Sequence, residues 1–406
     1  MSSHAPLRKV AIAVLGIVAV GYTIWLCFPD HPIDFVVYRR GADVLLHGGS
    51  LYDDVSVGPR PLPFTYPPFA GALFIPLAMI PFRLGLAIWE LINALALVAI
   101  AWMTATRLPR IAGTEPARSW ATWEIAALVF SVAVAMEPIT DNFAYAQTNL
   151  IVVFAVLFDS LRESKWSGYL TGIATGFKIT PGLFIVFMLV TRRWTAAGRA
   201  AIGFGVTIAI GALFGPAQEW RFWTSSLFET DRVGETNTAT NVAISGDLAR
   251  LSTQPWSTAV WVTAALAILV TGLLIAKQWW PSERLIAAAV VGTVGLLVSP
   301  ISWVHHWVWM VPMVAILVAL TIRARREHLR SAVWITGVAA LAAATPSLTH
   351  ARRFLWKFTR EGSTSSWLAL TSYAVAGLFA LVAIGFALRW ARISDEPAGA
   401  VTTQSL

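Results

Sequence analysis

Long apolar runs, separated by short polar intervals, make up most of this chain. Residues 10–28 carry no charge, and several later runs exceed 18 residues with one charge or none. A helix of that length is enough to cross the ~30 Å hydrocarbon layer of a bilayer. The pattern therefore predicts an all-α polytopic membrane protein.

The spacing of these runs predicts twelve helices, two of them short, with both termini in the cytoplasm. Residues 69–80 form a twelve-residue apolar piece that contains Pro76, which is too short to cross, so we expect it to lie in the interface. This choice puts the short loops rich in Lys and Arg inside, as the positive-inside rule requires. The predicted segments are residues 10–28, 84–106, 120–138, 147–161, 167–190, 195–215, 258–276, 285–298, 306–322, 331–345 and 367–390.

Residues 167–190 are the segment that counts as two helices. Basic residues that look cytoplasmic flank it at both ends, yet it is too short for two full spans. We predict two short helices that meet near residues 178–181. Broken helices at membrane depth usually line a cavity.

The domain prediction is one integral membrane domain over residues 1–406. Residues 29–83 form a first extracytoplasmic loop with interfacial helices, which we interpret as the active-site loop. Residues 216–256 form a second outer loop, and residues 391–406 form a cytoplasmic tail. Cys27 is the only cysteine, so an internal disulfide is excluded.

Composition agrees with a membrane protein and argues against nucleic-acid binding. The chain has 406 residues, of which 57% are apolar and 13% charged, and its mean hydropathy is +0.65. The net charge of +8 would suggest a nucleic-acid partner in a soluble protein. Here the basic residues cluster at helix ends, where topology explains them.

The notable polar residues of the membrane region fall on one side of the predicted topology. A charge at the bilayer centre costs at least ~2.5–3.5 kcal/mol, so such residues call for a reason. Asp34, the 145–149 run, Lys178 and the 302–306 run all lie at the outer face. Their convergence predicts one extracytoplasmic site.

Two of these residues have a functional and a structural interpretation. Asp34 could be a general base that takes a proton from a sugar hydroxyl, or the N-cap of the helix that begins at Phe35. Lys178 could hold a lipid phosphate, or its ammonium group could reach the interface as an ordinary snorkelling lysine.

His305 and His306 could contact a leaving phosphate, pack at the interface, or bind a metal together with Asp34. A histidine pair without clear further ligands is weak support for a metal, so we expect no cofactor.

Other polar and aromatic residues are candidates for substrate contacts. Tyr145, Gln147 and Asn149 could hydrogen-bond sugar hydroxyls, or join helices within the bundle. Trp303 could stack on a sugar ring or a prenyl chain. Arg352 and Arg353, in the last outer loop, could bind a lipid phosphate.

Several stretches together resemble glycosyltransferase family 87, the polyprenol-phosphate-mannose-dependent α-(1→2)-mannosyltransferases of actinobacteria. They span the chain from the first loop to the tenth helix and include Asp34-Phe35 with Tyr38, Pro63-Phe64-Thr65-Tyr66-Pro67-Pro68-Phe69, Tyr145-Ala146-Gln147-Thr148-Asn149, Lys178 with Thr180-Pro181, and residues 299–309. Ala146 departs from the family, which often has glycine there. The 216–255 loop shows no matching motif.

The resemblance implies the GT-C architecture in the plasma membrane and an extracytoplasmic site. It implies that Asp34 is the catalytic base and that His305 or His306 acts at the donor phosphate. We expect Lys178 to bind the same phosphate, and Tyr38 and Tyr66 to belong to the substrate site. The implied reaction is inverting transfer of mannose from polyprenyl-phosphate-mannose to a phosphatidylinositol mannoside or lipomannan in the cell envelope. The alternatives are another lipid-linked sugar transferase or a glycolipid transporter, although a transporter should show paired halves.

Overall fold

A computed structural model of the chain describes residues 5–53, 56–57, 60–114, 120–229, 232–251, 256–350 and 364–391. These residues are almost entirely helical. The helices are α1 (Ala5–Leu26), α2 (Ile33–Leu46), α3 (Pro68–Ala78), α4 (Phe82–Ala105), α5 (Leu108–Ile111), α6 (Thr122–Val134), α7 (Glu137–Tyr145), α8 (Asn149–Leu161), α9 (Tyr169–Phe177), α10 (Gly182–Val190), α11 (Trp194–Leu213), α12 (Pro216–Thr224), α13 (Ile244–Leu251), α14 (Trp256–Trp279), α15 (Arg284–Val298), α16 (Met310–Arg326), α17 (Arg330–Thr349) and α18 (Thr364–Ala387).

Short elements complete the described chain. Two 3-10 helices cover Ser226–Phe228 and Val304–Trp309, and the second leads directly into α16. Two strands of two residues each, β1 (Ser56–Val57) and β2 (Arg60–Pro61), pair antiparallel.

Six helices of the described chain are long and apolar enough to cross a membrane, and the α6–α7 pair adds a seventh if its two parts form one bent span. The long helices include α1, α4, α11 and α14, together with α16, its preceding 3-10 turn, and α17. The chain is thus a helical protein with the character of a polytopic membrane protein, as the hydrophobic pattern predicts. The twelve crossings stay a prediction.

The predicted break in residues 167–190 is confirmed. Helix α9 ends at Phe177, Lys178 adopts an extended backbone conformation, and α10 begins at Gly182. Each half has nine residues, which gives a length of about 14 Å at 1.5 Å per residue. Neither half alone could cross a bilayer.

The region of residues 120–146 differs from the prediction of one straight crossing followed by a loop. Helix α6 ends at Val134, and α7 starts at Glu137 after a bend of 67°. Pro138 at the start of α7 lacks the backbone N–H that a continuous helix would need at that point. The bend therefore places Tyr145 and Gln147 at the end of a separate short helix.

Helix α15 lies at the centre of the bundle. Twelve of its fifteen residues are buried, so it is apolar all round, as expected for a core helix rather than a surface one. Trp309 packs directly on Gly292, where an added Cβ would lie 2.2 Å from the indole ring. This close contact seats the 3-10 helix against α15.

Helices α9 and α11 meet along a seam of small residues. An added Cβ on Gly168, Gly172 or Gly176 would lie about 2 Å from atoms of α11. Glycines four residues apart lie on one helix face and let two backbones approach closely. The seam fixes the end of α9, and with it the backbone of Lys178.

The first loop folds onto α4 through aromatic side chains. Tyr38 of α2 stacks on Phe74 of α3 with centroids 4.6 Å apart, and Phe74 contacts Trp89 of α4 at the same distance. Arg39 donates to the carbonyl oxygens of Leu77, Ala78 and Ile80, and so satisfies acceptors at the end of α3 that the helix leaves open.

Candidate active site

Asp34 lies in the first turn of α2. The N-cap position is Pro32, and no side chain caps the helix, so the N-cap interpretation of Asp34 is wrong. A carboxylate in this turn is favoured by the positive end of the helix dipole. Burial raises the pKa of Asp34 to about 6, although a hydrogen bond with Gln147 and the charge of Lys178 act to lower it. The group can therefore take up a proton near neutral pH.

Gln147 connects Asp34 with the rest of the site. It follows Ala146, which adopts a left-handed conformation with φ +56°. The turn is held by the Trp89 indole, which donates to the Ala146 carbonyl at 2.9 Å. The side-chain oxygen of Gln147 accepts from the Tyr38 hydroxyl at 3.3 Å and from the Asn149 amide at 3.4 Å.

Tyr38 and Tyr66 form the wall beside Gln147. Their hydroxyl oxygens are 3.0 Å apart, and both side chains are buried. The Lys178 ammonium lies 5.6 Å from the centroid of the Tyr66 ring, within the range of a cation–π interaction. The tyrosines therefore lie between the acid of the first loop and the lysine of the broken pair.

Lys178 projects from the break between α9 and α10. Its ammonium donates to the side-chain oxygen of Asn149 at 2.6 Å. Because that ammonium bonds to a side chain that is itself buried in the bundle, the snorkelling interpretation does not describe its position. Asn149 thus bonds to both Gln147 and Lys178.

A cavity of about 50 Å³ opens beside Lys178, between α8, α10, α15 and the 3-10 helix. Its polar lining side chains include Asn149, Lys178, Ser302 and His306. The Ser302 hydroxyl is fully buried and has no hydrogen-bond partner among the residues that the structure describes. A buried hydroxyl without a partner is costly, so it marks a place where a polar ligand would gain a hydrogen bond.

The two histidines take different positions. His306 lines the cavity, and its Nδ1 accepts the backbone N–H of Trp303 at 3.2 Å. A neutral ring then carries its proton on Nε2, which makes that atom a donor. His305 instead packs edge-on against Tyr145, with ring centroids 5.6 Å apart. Of the pair, His306 is therefore the one that lines this cavity.

Trp303 does not line the cavity. Its indole packs on the second loop, where an added Cβ on Gly234 would lie 3.1 Å from the ring.

Arg352 and Arg353 lie outside the described residues, and their proposed contact with a lipid phosphate stays a prediction. In the described part of the chain, no group of three or more His, Cys, Asp or Glu side chains could hold a metal ion.

Two residues of the site were given no role of their own: Ser302, which was noted only as part of the 302–306 run, and Asn241, which was not predicted. Ser302 lines the cavity, and Asn241 of the second loop holds the segment that carries it. The Asn241 amide donates to Pro300 O at 3.0 Å, and its oxygen accepts from Ser302 N at 3.0 Å. Val242 N also donates to Ser302 O at 2.9 Å. The 216–255 loop carries no motif, so nothing in the sequence pointed to this contact.

The fold and the site together define a class: a helical membrane protein in which a lysine and a histidine line a small polar cavity, with a carboxylate connected to it through Gln147 and Asn149. Comparison with known proteins makes this more specific. The family model for glycosyltransferase family 87 matches residues 64–300. With the relatives described next, this shows that the chain belongs to glycosyltransferase family 87.

Curated relatives cover nearly the whole chain. A polyprenol-phosphate-mannose-dependent α-(1→2)-phosphatidylinositol mannoside mannosyltransferase of Mycobacterium tuberculosis is 32% identical over 90% of this chain and 89% of its own length. A phosphatidylinositol pentamannoside mannosyltransferase of Mycolicibacterium smegmatis, with the same donor and linkage in its name, is 31% identical over 98% and 94%. No solved structure matches the chain.

Proposed function

We propose that this chain transfers mannose from polyprenyl-phosphate-mannose to the 2-hydroxyl of a mannosyl residue on a phosphatidylinositol mannoside or lipomannan acceptor. The relatives that cover nine tenths of the chain are named for this donor and linkage. The observation that carries the proposal is geometric: Lys178, Ser302 and His306 line one cavity, and Asn149 connects Lys178 with Gln147, the hydrogen-bond partner of Asp34. The chain would have the GT-C architecture of about twelve helices, with this site on the extracytoplasmic side.

Asp34 would act as the general base. Its carboxylate takes the proton of the acceptor 2-hydroxyl while that oxygen forms a bond to the anomeric carbon of the donor mannose. The bond between the anomeric carbon and the phosphate oxygen breaks, and its electron pair leaves with the polyprenyl phosphate. One displacement inverts the anomeric centre, so a β-linked donor gives an α-linked product. Such base catalysis contributes typically ~10²–10⁴-fold.

The cavity would bind the phosphate that leaves. Lys178 supplies a cation, His306 an N–H donor and Ser302 a hydroxyl donor. Donors arranged in advance around developing negative charge are often the largest contribution to catalysis. Arg352 and Arg353 would add charge from the last outer loop, and His305 would position its neighbour from the side of Tyr145. We expect no cofactor, so transfer should persist in the presence of a chelator.

The acceptor would approach from the Asp34 side. Tyr38, Tyr66 and Gln147 form the wall next to this carboxylate, and amide and hydroxyl groups suit sugar hydroxyls. Asn149 lies between this wall and the phosphate cavity. Asn149 is therefore placed to fix the side chains of Lys178 and Gln147 relative to each other, in addition to any contact with sugar.

The test is transfer in reconstituted liposomes with polyprenyl-phosphate-mannose and a phosphatidylinositol mannoside. We expect Asp34→Asn to lower turnover by about 10²-fold or more because the base is lost. Asp43→Asn is the matched control: Asp43 lies on the same helix but is exposed and pairs with Arg40. Near-normal turnover by Asp34→Asn, or equal losses in both variants, would remove Asp34 from the mechanism.

A further inference from the structure

A second, larger opening lies away from the candidate active site. It is a groove of about 550 Å³ between α6 and α16, with α5 beside the end that carries Arg326. Apolar side chains such as Val129, Val132 and Ala315 line its length. The size and chemistry suit a hydrocarbon chain, but an apolar groove in a membrane protein does not by itself identify one ligand.

The polar groups of the groove are gathered at one end. Thr114, Trp120 and Arg326 line that end, and we call it the mouth. Arg326 is exposed and has no hydrogen-bond or ion-pair partner among the residues described. The guanidinium of Arg8 lies 4.5 Å above the Trp120 ring, but its charge is paired with buried Glu124. Arg326 is therefore the cation that the mouth offers to a ligand, while the interior of the groove is apolar.

The position of the mouth rules against the donor as the ligand. Arg326 and His306 lie on one continuous helical stretch, and twenty residues correspond to about 30 Å. A donor with its phosphate beside His306 would bring only the far end of its chain to the mouth. The cation there would then have no anionic partner. A lipid whose phosphate lies at the mouth satisfies both the cation and the apolar interior.

We propose that this groove binds one acyl chain of an anionic phospholipid whose phosphate contacts Arg326. The lipid belongs to the leaflet opposite the candidate active site, because the mouth and His306 lie at opposite ends of the same membrane-spanning stretch. Anionic lipids gain free energy from each basic residue near the membrane surface. The proposal does not depend on the transferase activity.

The experiment is native mass spectrometry of the full-length protein in detergent, titrated separately with phosphatidylglycerol, phosphatidylcholine and polyprenyl phosphate. We expect phosphatidylglycerol to bind more tightly than phosphatidylcholine. Arg326→Gln should weaken phosphatidylglycerol binding about fivefold. Arg325→Gln is the matched control, since Arg325 is exposed on the same turn but does not line the groove.

A second variant tests the apolar part of the site. Ala315→Trp places a large ring in the groove and should abolish lipid binding. Leu95→Trp, on the exposed face of α4, should leave it unchanged. If Ala315→Trp fails to fold, as judged by size-exclusion chromatography, the lipid-binding comparison of Arg326→Gln with Arg325→Gln tests the proposal without it.

Three outcomes overturn the proposal. The first is equal binding of phosphatidylglycerol and phosphatidylcholine, or equal effects of the two arginine variants. The second is competition of polyprenyl phosphate with phosphatidylglycerol at this groove, which would assign the groove to the donor chain. The third is a change from dimer to monomer in Ala315→Trp, which would assign it to a second copy of the protein. Each can be observed whether or not the protein transfers mannose.

Discussion

Asp34 is the residue whose protonation should control the rate. Its pKa is about 6 because burial disfavours the charge more than Gln147 and Lys178 favour it. A general base works only when deprotonated, so kcat/KM should fall tenfold per pH unit below about pH 6 and level off above it. The measurement is the pH profile of transfer in liposomes. Asp43→Asn should keep the same profile, and a profile flat from pH 5 to 7 would contradict this role of Asp34.

Ser302 should contribute to donor binding through its hydroxyl. Ser302→Ala leaves the fold intact because that hydroxyl has no partner among the described residues, while the backbone contacts to Asn241 remain. A hydrogen bond to a charged group contributes about 1.5–3 kcal/mol, so kcat/KM for the donor should drop about 10- to 100-fold.

Ser299→Ala is the control for Ser302→Ala. Ser299 also lines the cavity, but its hydroxyl already donates to Ile301 O at 2.7 Å. Its removal should therefore change donor kinetics little. Equal losses in the two variants would assign a structural role to both serines.

The residues that could be predicted are those whose charge is costly in a membrane. Asp34 and Lys178 stand out in an apolar chain, and a charge in such surroundings is by itself enough to indicate a function. Ser302 and Asn241 carry no charge, so they bear no such signal. Their roles depend on the 216–255 loop folding back onto residues 299–303, a long-range contact that no local pattern encodes.

Among the elements, the second loop has an unexpected task. It carries no family motif, yet it holds the segment before the 3-10 helix in place, because buried Asn241 bonds to Thr236, Pro300 and Ser302. Arg250 in turn donates to the backbone of Thr238 and Asn241. Substitution of Asn241 should therefore disturb the backbone of residues 300–302.

The glycine seam between α9 and α11 should be sensitive to a single methyl group. A Cβ at Gly172 would lie 2.0 Å from Ala200 O, so Gly172→Ala must push the helices apart. Overpacking of this kind costs about 1–3 kcal/mol. We expect a lower thermal unfolding midpoint in detergent and reduced transfer, because Lys178 follows directly on α9.

Gly205→Ala is the matched control for the seam. Gly205 lies on the exposed face of α11 with nothing within 4 Å of an added Cβ. Alanine there should stabilise the helix slightly, by about 0.5–1 kcal/mol. A destabilisation of Gly205→Ala equal to that of Gly172→Ala would mean that the loss is not specific to the seam.

Length and basic flanks predicted the break between α9 and α10, which lies at residues 178–181. That both ends of this pair lie on one side of the membrane stays a prediction. The bend between α6 and α7 was missed. Pro138 is the residue that could have indicated this bend. The prediction placed Pro138 at the end of a membrane crossing, whereas it lies at the start of a new helix. Ala146 was noted only as a departure from glycine; its positive φ gives the physical reason why glycine suits that position.

At the scale of the whole molecule, the site lies where short helices end. Helices α8, α9, α10 and α15 have 13, 9, 9 and 15 residues. At 1.5 Å per residue none exceeds about 23 Å, against a hydrocarbon layer of ~30 Å. Shortened helices leave a recess in the bundle, and the cavity beside Lys178 lies between three of them. The short lengths of these helices thus explain why the bundle has a recess at the site.

The side of the membrane on which this site opens can be tested with single cysteines. Cys27 is the only cysteine, so Cys27→Ser gives a background without thiols. The second loop contacts Ser302, which puts exposed Asn237 on the same face as the site. Exposed Glu327 follows the last turn of α16, at the opposite end from His306. Because basic residues crowd that end of α16, the positive-inside rule places it in the cytoplasm.

We therefore expect a membrane-impermeant maleimide to label Asn237→Cys in intact cells, and Glu327→Cys only after permeabilisation. The reverse pattern would put the site in the cytoplasm. Labelling of both positions in intact cells would instead place both ends of α16 on one side, which a helical stretch of about 30 Å from His306 to Arg326 could achieve only without crossing the membrane.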